Sequence, residues 1–217
     1  MRKQYLLFDL DGTLTDPMEG ITKSVQYALR SFGIDVEDRA ELCRFIGPPL
    51  KESFANFYGF DPEKVDEAIA KYREYFTPTG IFENEVYEGI PQMLKGLKEA
   101  GKALILATSK PTQYAIQILE HFSLDSYFSF VAGSNFDGTR VKKAEVIGYA
   151  LEENGIEDRS AVIMVGDREH DILGAKAVGV ESVGVLYGYG NAEEFAQAGA
   201  DYVASTVEEL WRLLSEL

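Results

Sequence analysis

Apolar residues fall into short runs alternating with helical stripes over most of the chain. Tyr5-Leu6-Leu7-Phe8 is apolar throughout, the pattern of a strand buried on both faces of a parallel sheet. Similar runs recur at Ala103–Ala107, Tyr127–Ala132, Ala161–Val165, Ser182–Leu186 and Tyr202–Ala204. Helical spacing separates them: Pro91–Ala100, Thr112–Phe122, Lys143–Asn154, Asp171–Val178, Ala192–Ala198 and Val207–Glu216. Strands separated by helices predict right-handed βαβ units. Between residues 17 and 87 the alternation lapses. Four helices are predicted there in succession, over Glu19–Phe32, Asp38–Ile46, Leu50–Tyr58 and from Asp61-Pro62 to about Phe76. Asp61 reads as an N-cap and Pro62 as a first-turn residue. The expected fold is α/β, a doubly wound, mainly parallel Rossmann-like sheet over residues 1–16 and 88–217. Residues 17–87 form an inserted four-helix cap.

The first strand ends in an unusual way. Asp9 and Asp11 follow its apolar run, and Gly12 follows them. Residues two apart on a strand point the same way, so the carboxylates start close together. A charge removed from water costs several kcal/mol or more unless something compensates it, so the pair requires a cation, donors or a ligand. The carboxyl edge of an open α/β sheet is where ligands bind. Other strands bring Thr108 and Ser109, the start of the helix at Lys142-Lys143, and Asp167 with Asp171 to that same edge. Several acids together suit a hard, oxygen-liganded cation such as Mg²⁺. A hydroxyl at a strand end and a lysine at a helix start suit a phosphate.

Composition narrows the partners. The net charge of −15 over 217 residues disfavours nucleic acid and anionic membrane. No apolar stretch reaches the length of a membrane span. A single cysteine, Cys43, rules out an internal disulfide and fits a reducing, cytoplasmic compartment.

Four motifs in order carry a resemblance. Phe8-Asp9-Leu10-Asp11-Gly12-Thr13, Ala107-Thr108-Ser109-Lys110, Lys143 opening Lys-Ala-Glu-Val-Ile, and Gly166-Asp167-Arg168-Glu169-His170-Asp171 resemble the motifs of the haloacid dehalogenase superfamily of phosphotransferases. The insertion is similar to that family's small helical cap, as in its phosphoglycolate phosphatase-like members. The resemblance implies hydrolysis of a small phosphorylated metabolite in two steps. Asp9 would be the nucleophile and Asp11 the acid/base. Mg²⁺ would be held by Asp9, the Asp11 carbonyl, Asp167 and Asp171, and phosphate by Thr108, Ser109 and Lys143, with Lys142 the alternative to Lys143. In the cap, Arg44, Gly47 and Lys51 are candidates for substrate choice. Two rival readings stand beside this one. A sugar-phosphate mutase is disfavoured by Leu50, where such enzymes place an arginine. A receiver-like phospho-acceptor is disfavoured by the cap and by Asp11. Phosphoglycolate, a nucleotide, a sugar phosphate or pyrophosphate would present the same phosphoryl group. A monomer and a homodimer are both compatible with the sequence.

Overall fold

The computed structural model describes residues 2–217, which divide into two compact units, residues 2–15 with 86–217, and residues 16–85. The chain leaves the first unit in β2 (Thr15–Asp16) and returns in β3 (Glu85–Val86).

The first unit is built on six strands: β1 (Tyr5–Phe8), β4 (Ala103–Pro111), β5 (Phe130–Ser134), β6 (Val162–Gly166), β7 (Glu181–Val185) and β8 (Tyr202–Ala204). They lie in the order β5-β4-β1-β6-β7-β8, and every pairing is parallel. The expected doubly wound α/β architecture is therefore the observed one. β1 sits at the centre, with Phe8 level with Leu106 on one side and Val165 on the other. The strand order reverses across β1, so the crevice at its carboxyl end is the natural place for a ligand. Leu6, Leu7 and Phe8 are fully buried, which is why the run shows no polar alternation.

Six helices complete this unit: α4 (Ile90–Glu99), α5 (Thr112–His121), α6 (Lys143–Glu153), α7 (Glu169–Val178), α8 (Ala192–Ala198) and α9 (Val207–Glu216). Val146, Ile147, Ala150 and Leu151 of α6 join Leu7, Ile105, Ala132, Met164 and Ala175 in one core cluster. That packing fixes the start of α6 relative to the ends of β1, β4 and β6.

Two local expectations are corrected. The strand predicted over Tyr127–Ala132 runs from Phe130 to Ser134. Tyr127 instead closes a 3₁₀ turn, donating to the Leu124 carbonyl. α7 begins at Glu169 rather than Asp171, so Asp171 is its third residue and accepts from the Arg168 backbone N–H at 3.2 Å.

The second unit holds α1 (Met18–Ser31), α2 (Leu50–Tyr58) and α3 (Pro62–Phe76), with 3₁₀ segments at Arg39–Phe45 and Gly80–Phe82. The helix expected over Asp38–Ile46 is thus a 3₁₀ segment. The Asp38 side chain accepts from the Ala40 N–H at its start, and Gly47 takes φ +100° before Pro48 beyond its end, so the segment is bounded by tight turns on both sides. Asp61 caps α3 through the Lys64 N–H, with Pro62 in the first turn. Gly20 and Gly80 allow α1 to meet the second 3₁₀ segment: a Cβ on Gly20 would lie 1.8 Å from the Gly80 carbonyl. Among the described residues no helix is long and apolar enough to cross a membrane.

Candidate active site

The carboxyl ends of β1, β4 and β6 bring together side chains that are far apart in sequence. Asp9 follows β1 directly, and its N–H donates to the Val165 carbonyl at 2.9 Å, holding it beside the end of β6. Asp167 follows β6, and Asp171 reaches back from the first turn of α7. Ligand atoms of these three carboxylates all lie within 4.8 Å of one another. Their residues are 5 %, 0 % and 1 % exposed. Three buried carboxylates at this distance repel strongly unless cations or protons intervene.

Lys143 supplies part of the compensation. Its Nζ lies 2.8 Å from Asp9 Oδ1, 2.8 Å from Asp171 Oδ1, and donates to the Ala107 carbonyl at 3.1 Å. Burial disfavours its charge, but Asp171 and Asp9 together outweigh that and push its pKa up. Lys142 is exposed at the helix cap. Tertiary packing thus separates the two neighbouring lysines. Gly174 of α7 makes room for the Lys143 stem, since a Cβ there would sit 2.8 Å from both Lys143 Cβ and Cγ.

The compensation is incomplete. Asp167 Oδ2 accepts from the Tyr189 N–H at 2.9 Å, whereas its Oδ1 is buried without a hydrogen-bond partner. Burial, and then the charges of Asp171 and Asp9, push the Asp167 pKa well above the usual carboxylate range. Burial also raises Asp171 to about 6 despite its contact with Lys143. An all-oxygen donor set with an unsatisfied carboxylate oxygen fits a hard divalent cation.

Asp11 stands apart from this group. Its carboxylate is paired with Lys110, whose Nζ lies 2.8 Å from Oδ1 and 2.6 Å from Oδ2. Burial raises its pKa, opposed chiefly by Lys110. Thr108 is buried beside them at the end of β4, its Oγ1 accepting from the Lys110 N–H at 3.2 Å, and Ser109 is half-buried. The cap candidates lie in the second unit. There the Arg44 guanidinium sits 4.5 Å over the Phe57 ring and 5.5 Å over Tyr58, while Lys51 is exposed, 3.9 Å from Asp66.

One group escaped the sequence reading, and a glycine-rich loop read as lying near the site packs directly on it. Lys110 was visible inside the second motif but carried no assignment. The segment Tyr187-Gly188-Tyr189-Gly190 wraps Asp167. A Cβ on Gly188 would fall 2.3 Å from the Gly12 carbonyl and 2.4 Å from Asp167 Cβ, and one on Gly190 2.1 Å from the Asp167 carbonyl. Gly12 is similarly constrained, at φ +80° with its Cβ position 2.0 Å from Asp167 Oδ2. Tyr187 donates from its hydroxyl to the Thr13 carbonyl at 3.0 Å, tying that loop to the first acidic turn. The alternating glycines after β7 were the available signal.

A parallel sheet with nucleophile-type acids, a lysine and a hydroxyl at its switch point defines an α/β enzyme of phosphoryl chemistry. Residues 6–185 match the haloacid dehalogenase-like hydrolase family, and the chain belongs to it. Relatives place it among that family's phosphatases. It is 49 % identical over 194 residues to the 5'-nucleotidase of Pseudomonas aeruginosa, covering 89 % of this chain and 87 % of that one. It is 38 % identical over 210 residues to the tyrosine-protein kinase PtkA of Mycobacterium tuberculosis, covering 95 % and 71 %. A crystal structure of a predicted phosphatase from Clostridium acetobutylicum superposes with TM-score 0.98 at 50 % identity, over 100 % of both chains.

Proposed function

We propose that this protein is a Mg²⁺-dependent phosphatase that hydrolyses a small-molecule phosphate monoester through an aspartyl-phosphate. The observation that carries the reading is the sorting of cations at the sheet edge. Lys143 faces Asp9 and Asp171, and Lys110 faces Asp11, so two adjacent acids have different partners. Carboxylates in different environments take different roles.

In the first step a carboxylate oxygen of Asp9 attacks phosphorus. As that bond forms, the bond from phosphorus to the ester oxygen breaks. The electron pair leaves with the ester oxygen, which takes a proton from Asp11. In the second step water attacks the phosphorus of the Asp9 acyl-phosphate and gives its proton to Asp11. The bond from phosphorus to Asp9 breaks, releasing inorganic phosphate and restoring the carboxylate. Thr108, Ser109 and Lys143 hold phosphoryl oxygens as charge develops on them. Mg²⁺, held by Asp9, the Asp11 carbonyl, Asp167 and Asp171, would offset the repulsion between carboxylate and phosphate.

The substrate class to test first is a nucleoside 5'-monophosphate, because a relative 49 % identical is named a 5'-nucleotidase. 2-Phosphoglycolate, a hexose phosphate and pyrophosphate complete the panel, with p-nitrophenyl phosphate as a generic ester. Turnover compared by kcat/KM, with and without Mg²⁺, ranks them. Asp9→Asn is expected to lower turnover of every ester by a factor on the order of 10³ or more, the scale of losing a nucleophile. Ordinary turnover by Asp9→Asn would rule the mechanism out. Isomerised product from glucose 1-phosphate would favour the mutase reading. A stable phosphoprotein with no phosphate release would favour the phospho-acceptor reading.

A further inference from the structure

The reaction sequence above gives Lys110 no task, yet the fold goes to some length to place it. β4 and β5 pair in register through Ala107 and Ala132, then again at Pro111 and Ser134. Four steps along β4 are thus matched by two along β5, and the surplus falls on Thr108, Ser109 and Lys110. A bulge of this kind re-aims side chains. Here it brings Lys110 onto Asp11, 99 positions earlier in the chain. The lysine side chain is 6 % exposed and the aspartate side chain 13 %. Burying an ammonium and ordering its long side chain are both costly, so a close contact with both oxygens of one carboxylate marks a specific pairing.

The pairing is also selective. Among the described residues, the carboxylates grouped closely enough to hold a metal are those of Asp9, Asp167 and Asp171, and the Asp11 carboxylate is not among them. Lys143 serves that group, whereas Lys110 contacts both oxygens of Asp11. One ammonium and two acceptor oxygens allow either oxygen to remain anchored while the other faces the reacting atoms.

We propose that Lys110 is a positioning residue that anchors the Asp11 carboxylate for both proton transfers. This rests on the phosphatase reading and adds to it a residue on which esters with poor leaving groups depend. When the ester oxygen leaves as an alkoxide, it needs the Asp11 proton as the bond breaks. A nitrophenolate is stable as an anion and leaves without one. The ratio kcat/KM reports the steps up to release of the alcohol, so water attack in the second step does not enter it.

The test compares kcat/KM for p-nitrophenyl phosphate with that for an alkyl ester the wild type hydrolyses, in wild type, Lys110→Met and Lys110→Arg. For Lys110→Met the expected loss is on the order of 10²-fold with the alkyl ester, the lower end of general acid–base effects, and under about tenfold with p-nitrophenyl phosphate. Lys110→Arg, which keeps charge and two donors, is expected to recover most of the alkyl-ester rate. In an Asp11→Asn background, Lys110→Met should add no further ester-selective loss. Equal losses with both esters, or no loss with either, would overturn the proposal; the first would mean a general structural or phosphate-binding role. Should Lys110→Met fail to fold by circular dichroism, the same ratio is read on Lys110→Gln. A wild type that hydrolyses no ester of the panel would instead count against the phosphatase reading itself.

Discussion

Asp167 offers the sharpest test of the metal site, because removing its charge should have opposite effects with and without the metal. In the metal-free protein the carboxylate is fully buried, its Oδ1 has no hydrogen-bond partner, and its charge faces those of Asp171 and Asp9. Its neighbour Asp171 carries a penalty of the same sign. A rise from 3.8 to about 6 corresponds to about 3 kcal/mol of destabilisation at neutral pH. The sign follows from proton binding. Between 3.8 and about 6 a folded state with this carboxyl holds more protons than the unfolded one, so Asp171 weakens the fold as pH rises through that window. The Asp171 penalty is complete above about 6 and relieved toward 3.8, and burial acts on Asp167 in the same direction. Asp167→Asn is therefore expected to leave the metal-free protein at least as stable as wild type at pH 7.5. A cation bound only by the folded state stabilises by about 2.7 kcal/mol at a hundred times its Kd. For a chain of this length that raises Tm by roughly 5–10 °C. Mg²⁺ should produce that rise in wild type and little in Asp167→Asn. At pH 5 a proton on Asp171 competes with the metal. A tenfold loss of affinity there would cut the gain to about half. Differential scanning fluorimetry with and without Mg²⁺, at pH 7.5 and pH 5, measures all four quantities. An equal Mg²⁺ response in Asp167→Asn, or a wild-type response at pH 5 matching that at pH 7.5, would refute the reasoning. The variant also controls for general attraction of divalent cations to a chain of net charge −15.

Other perturbations follow from the same geometry. Lys143→Ala leaves Asp9 and Asp171 buried without the ammonium 2.8 Å from each. Losing one partner of a buried ion pair costs about 3–5 kcal/mol, so urea denaturation should show a loss of that size, with activity lost as well. A smaller loss in metal-free protein at pH 5 than at pH 7.5 would confirm that the orphaned acids cause it. Gly188→Ala pushes a methyl to 2.3 Å from the Gly12 carbonyl and 2.4 Å from Asp167 Cβ. Overpacking there should cost about 1–3 kcal/mol and blunt the Mg²⁺ response, which an unchanged thermal profile would contradict.

Much of the architecture was written locally. Leu6, Leu7 and Phe8 lie between two neighbouring strands, so every position is apolar, and a continuous apolar run is what a central parallel strand must show. Asp61-Pro62 states a helix start in two residues, because capping chemistry acts across a single turn. Where the reading slipped, a competing short-range contact was responsible. The helix expected over Asp38–Ile46 is a 3₁₀ segment bounded by the Asp38 turn and Gly47, and Tyr127 was drawn into a turn before its strand began.

The acids of the site are likewise legible, since two carboxylates at the end of an apolar strand are costly enough to demand a reason. Their partners are another matter. Sequence gives Lys142 and Lys143 the same chemistry. Only the packing of α6 against α7, with Gly174 clearing space for the stem, buries one and leaves the other in solvent. Sequence places Lys110 beside Thr108, but the bulge at the end of β4 aims it at Asp11. The glycines at 12, 188 and 190 look like ordinary turn residues until Asp167 is seen packed against them. The chain by itself fixed which strands form and which acids they carry, because hydrophobic periodicity and local steric preference act within a few residues. Which cation answers which acid was decided by the tertiary structure, because ion pairing and close packing depend on distances between segments about a hundred residues apart or more.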